Sequence, residues 1–174
     1  MSGFVPVIKS DRLVLRPFCL ADAEDAYTNW TSDPRVTYFL SWPPHASVEV
    51  TRSVIAGWME GYGQGNFVWA IVEENTPVGS IDARRLGEGV YELGYCLAPS
   101  RWGRGLASEA ARAVIDYLFS VPGTARVVAC HEADNLASGR VLEKAGLMRE
   151  ETYNAPSHRD GAGVVVWHRC SIAR

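Results

Sequence analysis

The stretch from residue 66 to residue 98 constrains the fold most, because it has the pattern of three strands joined by two short turns. Its segments NFVWAIVEE, VGSIDARRL and VYELGYCLA are rich in strand-forming residues. Turn residues separate them at 75–77 and at 87–89. A helical pattern from Leu106 to Phe119 and another strand, TARVVACH, follow. The sequence therefore predicts an antiparallel meander, followed by a right-handed crossover to a parallel strand.

Further elements are predicted before and after this central unit. A leading strand from Val5 to Leu15 is followed by the helix LADAEDAYTNW, with Ala23, Ala26, Tyr27 and Trp30 on one stripe. A second helix, from Ser47 to Tyr62, is expected to turn Val50, Val54, Ile55 and Trp58 inward. Asn135 is the expected cap of a short helix, and LMREETYN and VVVWHRCSI form a C-terminal hairpin. The expected fold class is mixed α+β, in one domain over residues 1–174.

Composition and charge exclude several classes of protein. The chain has a net charge of -3 over 174 residues, which argues against a general nucleic-acid binder. No apolar run reaches the roughly 18 residues of a membrane helix, and MSGFVPVIK lacks a signal-peptide core. The four cysteines are far apart and lack zinc-site spacing, so we expect reduced thiols and no metal. These features predict a cytoplasmic protein.

The segment YCLAPSRWGRGLASEA breaks a strand, passes two arginines and two glycines, and then enters a helix. Unpaired N–H groups at a helix start favour an anion. Gly103 and Gly105 allow the backbone close to a bulky ligand, and Arg101 and Arg104 add positive charge. The pattern predicts a phosphate or pyrophosphate site, although neither common nucleotide-binding glycine motif is present.

The segments YELGYCLAPSRWGRGLASEAARAVIDYLF and NLASGRVLEKAGL resemble the GNAT superfamily of acetyl-CoA-dependent N-acetyltransferases. SDRLVLRPF, DAEDAYTNW and VGSID extend the likeness, which is closest to the RimJ/RimL branch. The resemblance implies a mostly antiparallel sheet of about seven strands with one splayed parallel pair, and about four flanking helices. It also implies that acetyl-CoA is the co-substrate.

The family's pyrophosphate pattern is Q/R-x-x-G-x-G/A, and here Trp102 stands at the Q/R position, as is usual in this branch. Asn135 and Ser138 match the family's Asn-x-x-Ser near the thioester, although Asn135 also suits a helix cap. The strand at 95–97 is expected to offer its backbone to the pantetheine arm. The cofactor-binding residues implied in this way are Cys96, Leu97, Arg101, Trp102, Gly103, Arg104, Gly105, Leu106, Ala107, Asn135 and Ser138.

Acetyl transfer to an amine needs a neutral amine, an oxyanion donor and a proton for the leaving thiolate. The tyrosine that often supplies this proton is absent, because its position holds Leu142. The resemblance makes the Ser138 hydroxyl the expected replacement, with an ordered water as an alternative. The expected oxyanion donor is the backbone N–H of Leu97 or Cys96. Glu92 is the first choice of general base, with an ion pair to Arg84 as the equally weighted alternative.

Other side chains are candidates for the acceptor site. Asp82 and His131 follow Glu92 as possible bases and are expected near the acceptor, although a lone strand-end histidine is more often structural. Trp42 and His45 are expected to shape the acceptor pocket, whereas Trp58 and Trp69 suit the core better.

The predicted function is direct transfer of acetyl from acetyl-CoA to a primary amine, on a protein N-terminus or a small molecule. The alternative is a catalytically weak binding protein that keeps the CoA slot as a sensor or partner. The sequence leaves the acceptor and the oligomeric state open, a homodimer included.

Overall fold

A single sheet of eight strands forms the centre of the molecule. The structure is a computed structural model that describes residues 5–62, 65–159 and 161–174. The strands are β1 (Ile8–Lys9), β2 (Val14–Pro17), β3 (Phe67–Glu73), β4 (Thr76–Gly87), β5 (Val90–Leu97), β6 (Arg126–Glu132), β7 (Met148–Pro156) and β8 (Val164–Ala173). Their order across the sheet is β1-β2-β3-β4-β5-β6-β8-β7, and β5 and β6 are the parallel pair.

Helices cover both faces of the sheet. They are α1 (Ala23–Ala26), which continues as a π-helical turn over Tyr27–Thr31, α2 (Pro34–Thr37), α3 (Val48–Glu60), α4 (Leu106–Ser120) and α5 (Leu136–Lys144). Short 3₁₀ turns stand at Leu20–Asp22 and Pro99–Arg101. Within the described residues, no helix is both long enough and apolar enough to cross a membrane.

The meander predicted from the sequence is confirmed. β3, β4 and β5 pair antiparallel, and Glu74 and Asn75 turn the first hairpin with positive φ angles. The crossover from β5 through α4 to β6 is confirmed as well, since the two strands run parallel. This unit matches the prediction because each of its elements has a clear hydrophobic period and each joint has a turn signal.

The parallel pair separates soon after it begins. β5 and β6 pair only at Val90 with Arg126, Tyr91 with Val127 and Glu92 with Val128. Beyond Glu92 and Val128 the two strands no longer pair with each other, although β5 continues to Leu97 and β6 to Glu132. The splayed pair expected from the resemblance is therefore present, and it leaves a slot in the middle of the sheet.

Two apolar cores lie on opposite faces of the sheet. The first face, which we name the α4 face, packs Leu93, Val127 and Ala129 against α4 and α5. The other, named the α1 face, packs Ala70 and Cys96 against the early helices. Neighbouring residues in a strand point to opposite faces of the sheet. Side chains from both faces therefore border the slot.

Several expectations about the early chain were wrong. The leading strand is two short antiparallel strands, because a turn between Ser10 and Leu13 folds β1 back on β2. In α3, Val50 is 41% exposed and Thr51 is buried instead. The expected fold class is confirmed nevertheless, with eight strands in one mixed sheet and five α-helices among the described residues.

Candidate active site

A cavity of about 1040 Å³ occupies the slot between β5 and β6. Its lining includes Tyr95 and Ser138 from the α4 face and Asp82 and Glu92 from the α1 face. The loop before α4 forms one end of the cavity, where Gly103 and its neighbours lie. A ligand in this cavity therefore reaches side chains from both faces of the sheet.

The loop before α4 has the backbone that the sequence predicted. Gly103 and Gly105 have φ angles of +73° and +78°, a region that residues with a Cβ rarely adopt. Gly105 is the N-cap residue of α4, and its carbonyl accepts the first helical hydrogen bond, from Glu109. In the described part of the chain, no protein group accepts from the N–H groups of residues 103–108. These donors are free for an anion.

The two arginines of this loop are held by a carboxylate that sequence reasoning missed. Glu73, at the buried end of β3, lies 2.7 Å from the Nε of Arg101 and 2.8 Å from the Nη2 of Arg104. We expected both guanidinium groups to pair with phosphates, and Glu73 neutralises part of their charge. Arg101 still borders the cavity, whereas Arg104 does not. The backbone N–H groups of residues 103–108, by contrast, have no acceptor among the described residues.

Arg12 ties the loop to the first hairpin. Its guanidinium donates to the Arg104 carbonyl (2.9 Å) and to Glu109 (2.7 Å) in the first turn of α4. Ser10 donates to the same carboxylate at 2.7 Å. The β1–β2 turn therefore fixes the position of the loop and the first turn of α4.

The backbone of β5 presents Leu97, not Cys96, to the slot. The Ala98 N–H donates to the Val78 carbonyl of the β4 edge (2.8 Å), so alternation turns the N–H and carbonyl of Leu97 away from β4. The Leu97 carbonyl accepts from Nε1 of Trp102 at 2.8 Å. Of the two expected oxyanion donors, only Leu97 faces the opening. The backbone of Cys96 faces β4.

Cys96 has a packing environment rather than a reactive one. Its Sγ lies 3.2 Å from the Ser80 hydroxyl, and burial raises the pKa of the thiol to about 11. A thiol with a raised pKa is a poor nucleophile near neutral pH. Direct transfer, without an acyl-cysteine stage, suits this geometry.

The start of α5 brings two hydroxyl groups together in the slot. Asn135 caps the helix, since its side-chain oxygen accepts from the Ser138 N–H at 3.1 Å. The Ser138 hydroxyl lies 2.8 Å from the hydroxyl of Tyr95, and both side chains line the cavity. Leu142, where the family tyrosine is absent, is fully buried.

Two carboxylates on the α1 face differ in their surroundings. Glu92 forms an ion pair with Arg84, which is the alternative that the sequence left open. Asp82 lies beside Gly94 across the β4–β5 pair, and an added Cβ at Gly94 would come within 2.8 Å of its Oδ1. Burial, with a smaller contribution from Glu92, raises the pKa of Asp82 to about 6. Asp82 therefore has the acid–base properties of a base that works near neutral pH.

The aromatic residues that the sequence suggested for the acceptor site lie in different environments. Trp42 and Trp58 line the cavity, and Trp58 also packs on Phe18 with ring centroids 5.0 Å apart. His45 packs beside Trp42, with ring centroids 5.1 Å apart, but its Nδ1 pairs with Thr51 Oγ1 at 2.9 Å and it does not line the cavity itself. Trp69 is fully buried, as expected.

His131 sits in the wall of the slot with one nitrogen occupied. Its Nδ1 lies 2.8 Å from the Glu132 carbonyl, and its ring packs closely on Gly139 of α5, where an added Cβ would lie 3.0 Å from Cε1. The residue is buried but borders the cavity. Most contacts of His131 therefore hold the fold together, as expected for a structural histidine.

An arginine from the β7–β8 loop, Arg159, connects three segments close to the cavity. Arg159 forms an ion pair with the buried Glu132 at 2.7 Å, and Ser157 donates to the other oxygen of that carboxylate at 2.6 Å. The Arg159 guanidinium also lies 5.5 Å and 5.2 Å from the ring centroids of Tyr38 and Phe39. We name this set of contacts the Arg159 clasp. It joins the β7–β8 loop to the end of β6 and to the segment after α2.

Comparisons with known proteins agree with this architecture. The acetyltransferase (GNAT) domain family matches residues 12–148. The chain belongs to the GNAT acetyltransferase family. YoaA of Bacillus subtilis (strain 168), an uncharacterised N-acetyltransferase, is 30% identical over 161 residues, which is 90% of each chain. This GNAT protein is therefore an acetyl-CoA-dependent N-acetyltransferase by family.

Solved structures of GNAT proteins have the same fold. A Bacillus anthracis acetyltransferase of the GNAT family is 30% identical, with a TM-score of 0.85 over 97% of this chain and 98% of that one. RimL, a ribosomal L7/L12 alpha-N-protein acetyltransferase solved with coenzyme A, is 19% identical, with a TM-score of 0.86 over 97% and 98%. The second likeness shows the shared fold only.

Sequence reasoning missed the side chains of Tyr95, Glu73 and Arg159. The strand period does indicate the direction of Tyr95, which alternates with Cys96 and so faces α4 and α5. Its partner Ser138 is 43 residues away in the chain, and no local pattern indicates that contact. The Glu73 and Arg159 contacts are also long-range. Among the described residues, no group of three or more His, Cys, Asp or Glu side chains could hold a metal ion.

Proposed function

We propose that this GNAT protein transfers the acetyl group of acetyl-CoA directly to a primary amine that enters from the α1 face. One observation carries the proposal: a single cavity reaches the free N–H groups before α4, the Tyr95–Ser138 pair on one face and Asp82 on the other. The two substrates can meet in such a slot from opposite sides of the sheet, which favours reaction by proximity.

The residues present fit acetyl-CoA. The free N–H groups of residues 103–108, with glycine at both positive-φ positions, suit a pyrophosphate. The open edge of β5 suits the amide groups of a pantetheine arm, and Leu97 is the donor at its end. When bound, acetyl-CoA supplies an activated acyl group as a thioester. Arg101 adds charge at the border of the cavity, where Glu73 holds it.

Asp82 is the proposed base. Its carboxylate accepts the proton that the amine loses as the C–N bond forms, and its raised pKa matches that role. Glu92 is less suited than the sequence implied, because Arg84 holds its carboxylate. We therefore propose Asp82 on β4, rather than Glu92 on β5, as the base.

Leu97 and Ser138 are the proposed donors in the transition state. The Leu97 N–H stabilises the oxyanion, since it points into the slot. The Ser138 hydroxyl donates a hydrogen bond to the sulfur that leaves. Both residues line the cavity.

We further propose that the acceptor is a protein N-terminus or a small amine, of the kind used in the RimJ/RimL branch. The structural likeness to RimL supports the fold of that branch, and Trp102 matches its pattern. The acceptor would lie between Trp42 and the Arg159 clasp. A protein that kept the slot only as a sensor would bind acetyl-CoA without turnover.

The test is release of CoA thiol by the purified protein with a panel of peptide N-termini and small amines. Acetylated product would be identified by mass spectrometry. Protection of the protein against heating by acetyl-CoA would measure binding separately. Protection with no CoA release for any acceptor would overturn the enzyme assignment and favour the binding protein.

A further inference from the structure

The Tyr95 hydroxyl contacts Ser138 and has no role yet in the proposed acetyl transfer. Tyr95 Oη lies 2.8 Å from Ser138 Oγ and 3.2 Å from the Ser138 carbonyl. Tyr95 is on the strand that loses its parallel partner, and Ser138 is in the first turn of α5. The contact therefore crosses the α4 face of the slot, beside the proposed thioester position.

The number of protons on the pair permits two arrangements. If Tyr95 donates to Ser138 Oγ, the serine proton is free to point at a third group. If Ser138 donates to Tyr95, the tyrosine proton must go to the Ser138 carbonyl, and the serine has nothing left to donate. The first arrangement is favoured, because Ser138 Oγ lies 2.8 Å from Tyr95 Oη, whereas the Ser138 carbonyl lies farther away, at 3.2 Å.

We propose that Tyr95 is a positioning residue that donates its O–H to Ser138 Oγ and thereby turns the Ser138 O–H toward the leaving sulfur. This rests on the proposed function, since it concerns the same thioester. As the C–S bond breaks, its electron pair stays on sulfur, and Ser138 stabilises the thiolate by a hydrogen bond. Neither hydroxyl loses its proton, and the thiolate is protonated by water after it leaves.

The surroundings of Tyr95 agree with a donor role. Burial raises the pKa of the Tyr95 phenol, so the group keeps its proton throughout the working pH range. A phenol that remains protonated is a poor proton source but a constant hydrogen-bond donor. Its ring packs against the core on the α4 face, which fixes its orientation.

The experiment measures the ionisation of the CoA thiol while CoA is bound. The rate at which a neutral disulfide reagent attacks bound CoA, followed against pH, gives the thiol pKa. In the wild type, we expect that pKa to lie about one unit below that of free CoA. Tyr95→Phe and Ser138→Ala should each return it toward the free value. The double variant should behave like Ser138→Ala alone.

Turnover supplies a second measurement. Tyr95→Phe should lower kcat by about tenfold and leave the affinity for CoA unchanged. The matched control is Tyr91→Phe, on the same strand and face, whose ring packs 6.1 Å from that of Phe67. This control should match the wild type in both measurements.

The outcomes separate this proposal from the proposed function. An unchanged thiol pKa in Tyr95→Phe overturns the positioning role, as does an effect that adds in full to that of Ser138→Ala. A thiol pKa that is lowered in the wild type and rises in Tyr95→Phe, in a protein that acetylates no amine, supports the role of Tyr95 and overturns the enzyme assignment. If CoA does not bind at all, both proposals are wrong.

Discussion

The two ends of the slot are built in different ways. The end at the loop before α4 consists of backbone N–H groups, set by two glycines within five residues of chain. The opposite end, where we propose that the acceptor binds, is lined by side chains such as Trp42, Asp82 and Glu132, which come from distant segments. The loop before α4 depends mainly on its two glycines, so substitutions elsewhere should affect it little. The opposite end depends on each of the side chains that form it. We therefore expect substitutions at the two ends to separate cofactor binding from acceptor recognition.

The largest effect is expected from Gly105→Asp. It places a carboxylate beside the free N–H groups, at a φ angle of +78°, and should weaken acetyl-CoA binding by about 1000-fold or more. Thermal protection by acetyl-CoA measures the loss. Gly123→Asp is the matched control, since Gly123 has a φ angle of +84° and open space beside it. Unchanged protection in Gly105→Asp would contradict the pyrophosphate site.

Ser138→Ala should act on turnover rather than on binding. Removal of the hydroxyl should lower kcat by about 100-fold, because the leaving sulfur loses its donor. The Kd for CoA, measured by calorimetry, should change little. An equal loss in both quantities would make Ser138 a binding residue only.

Asp82→Asn tests the base through the pH profile. In the wild type, kcat should rise with pH through about 6 as Asp82 ionises. The variant should lose this step and about tenfold in rate or more at pH 8. Glu92→Gln should keep the step, and loss of the step in that variant instead would return the base to Glu92.

Asp82→Asn should lower the rate but raise the stability of the folded protein. The pKa of Asp82 is raised in the folded state above its ordinary value of 3.8, so the folded protein holds this proton more tightly. Between about pH 4 and 6, the free energy of unfolding of the wild type should fall as pH rises. At pH 7, Asp82→Asn should be more stable by about 2 kcal/mol, measured by urea unfolding. Asp25→Asn, on an exposed helix face, is the control and should show no gain.

The smallest effect on rate is expected from the Arg159 clasp. Arg159→Ala leaves the buried Glu132 without its partner and should destabilise the protein by roughly 3 kcal/mol. The double variant Arg159→Ala with Glu132→Gln should recover most of this stability. We expect its KM for the acceptor to stay about fivefold high at an unchanged Kd for CoA. A normal acceptor KM in the double variant would show that the clasp acts on stability alone.

How much could be predicted depends on how far apart the contacting residues are. The meander, α4 and the glycine loop follow from periodicity and turn residues, which act over a few positions. The leading strand was wrong because a four-residue turn at Ser10 has little signal of its own. The contact of His45 with Thr51 joins a loop to the next helix, and no local pattern indicates it.

The sequence by itself determined part of the backbone framework of this protein: the antiparallel meander, the crossover and the glycine-containing turn before α4. These depend on φ angles, turn chemistry and hydrophobic period, which neighbouring residues fix. The tertiary structure alone decided which side chains meet. It paired Glu92 with Arg84, left Asp82 with a raised pKa, and set Tyr95 on Ser138. The reason is physical, since ionisation and hydrogen bonding depend on neighbours in space.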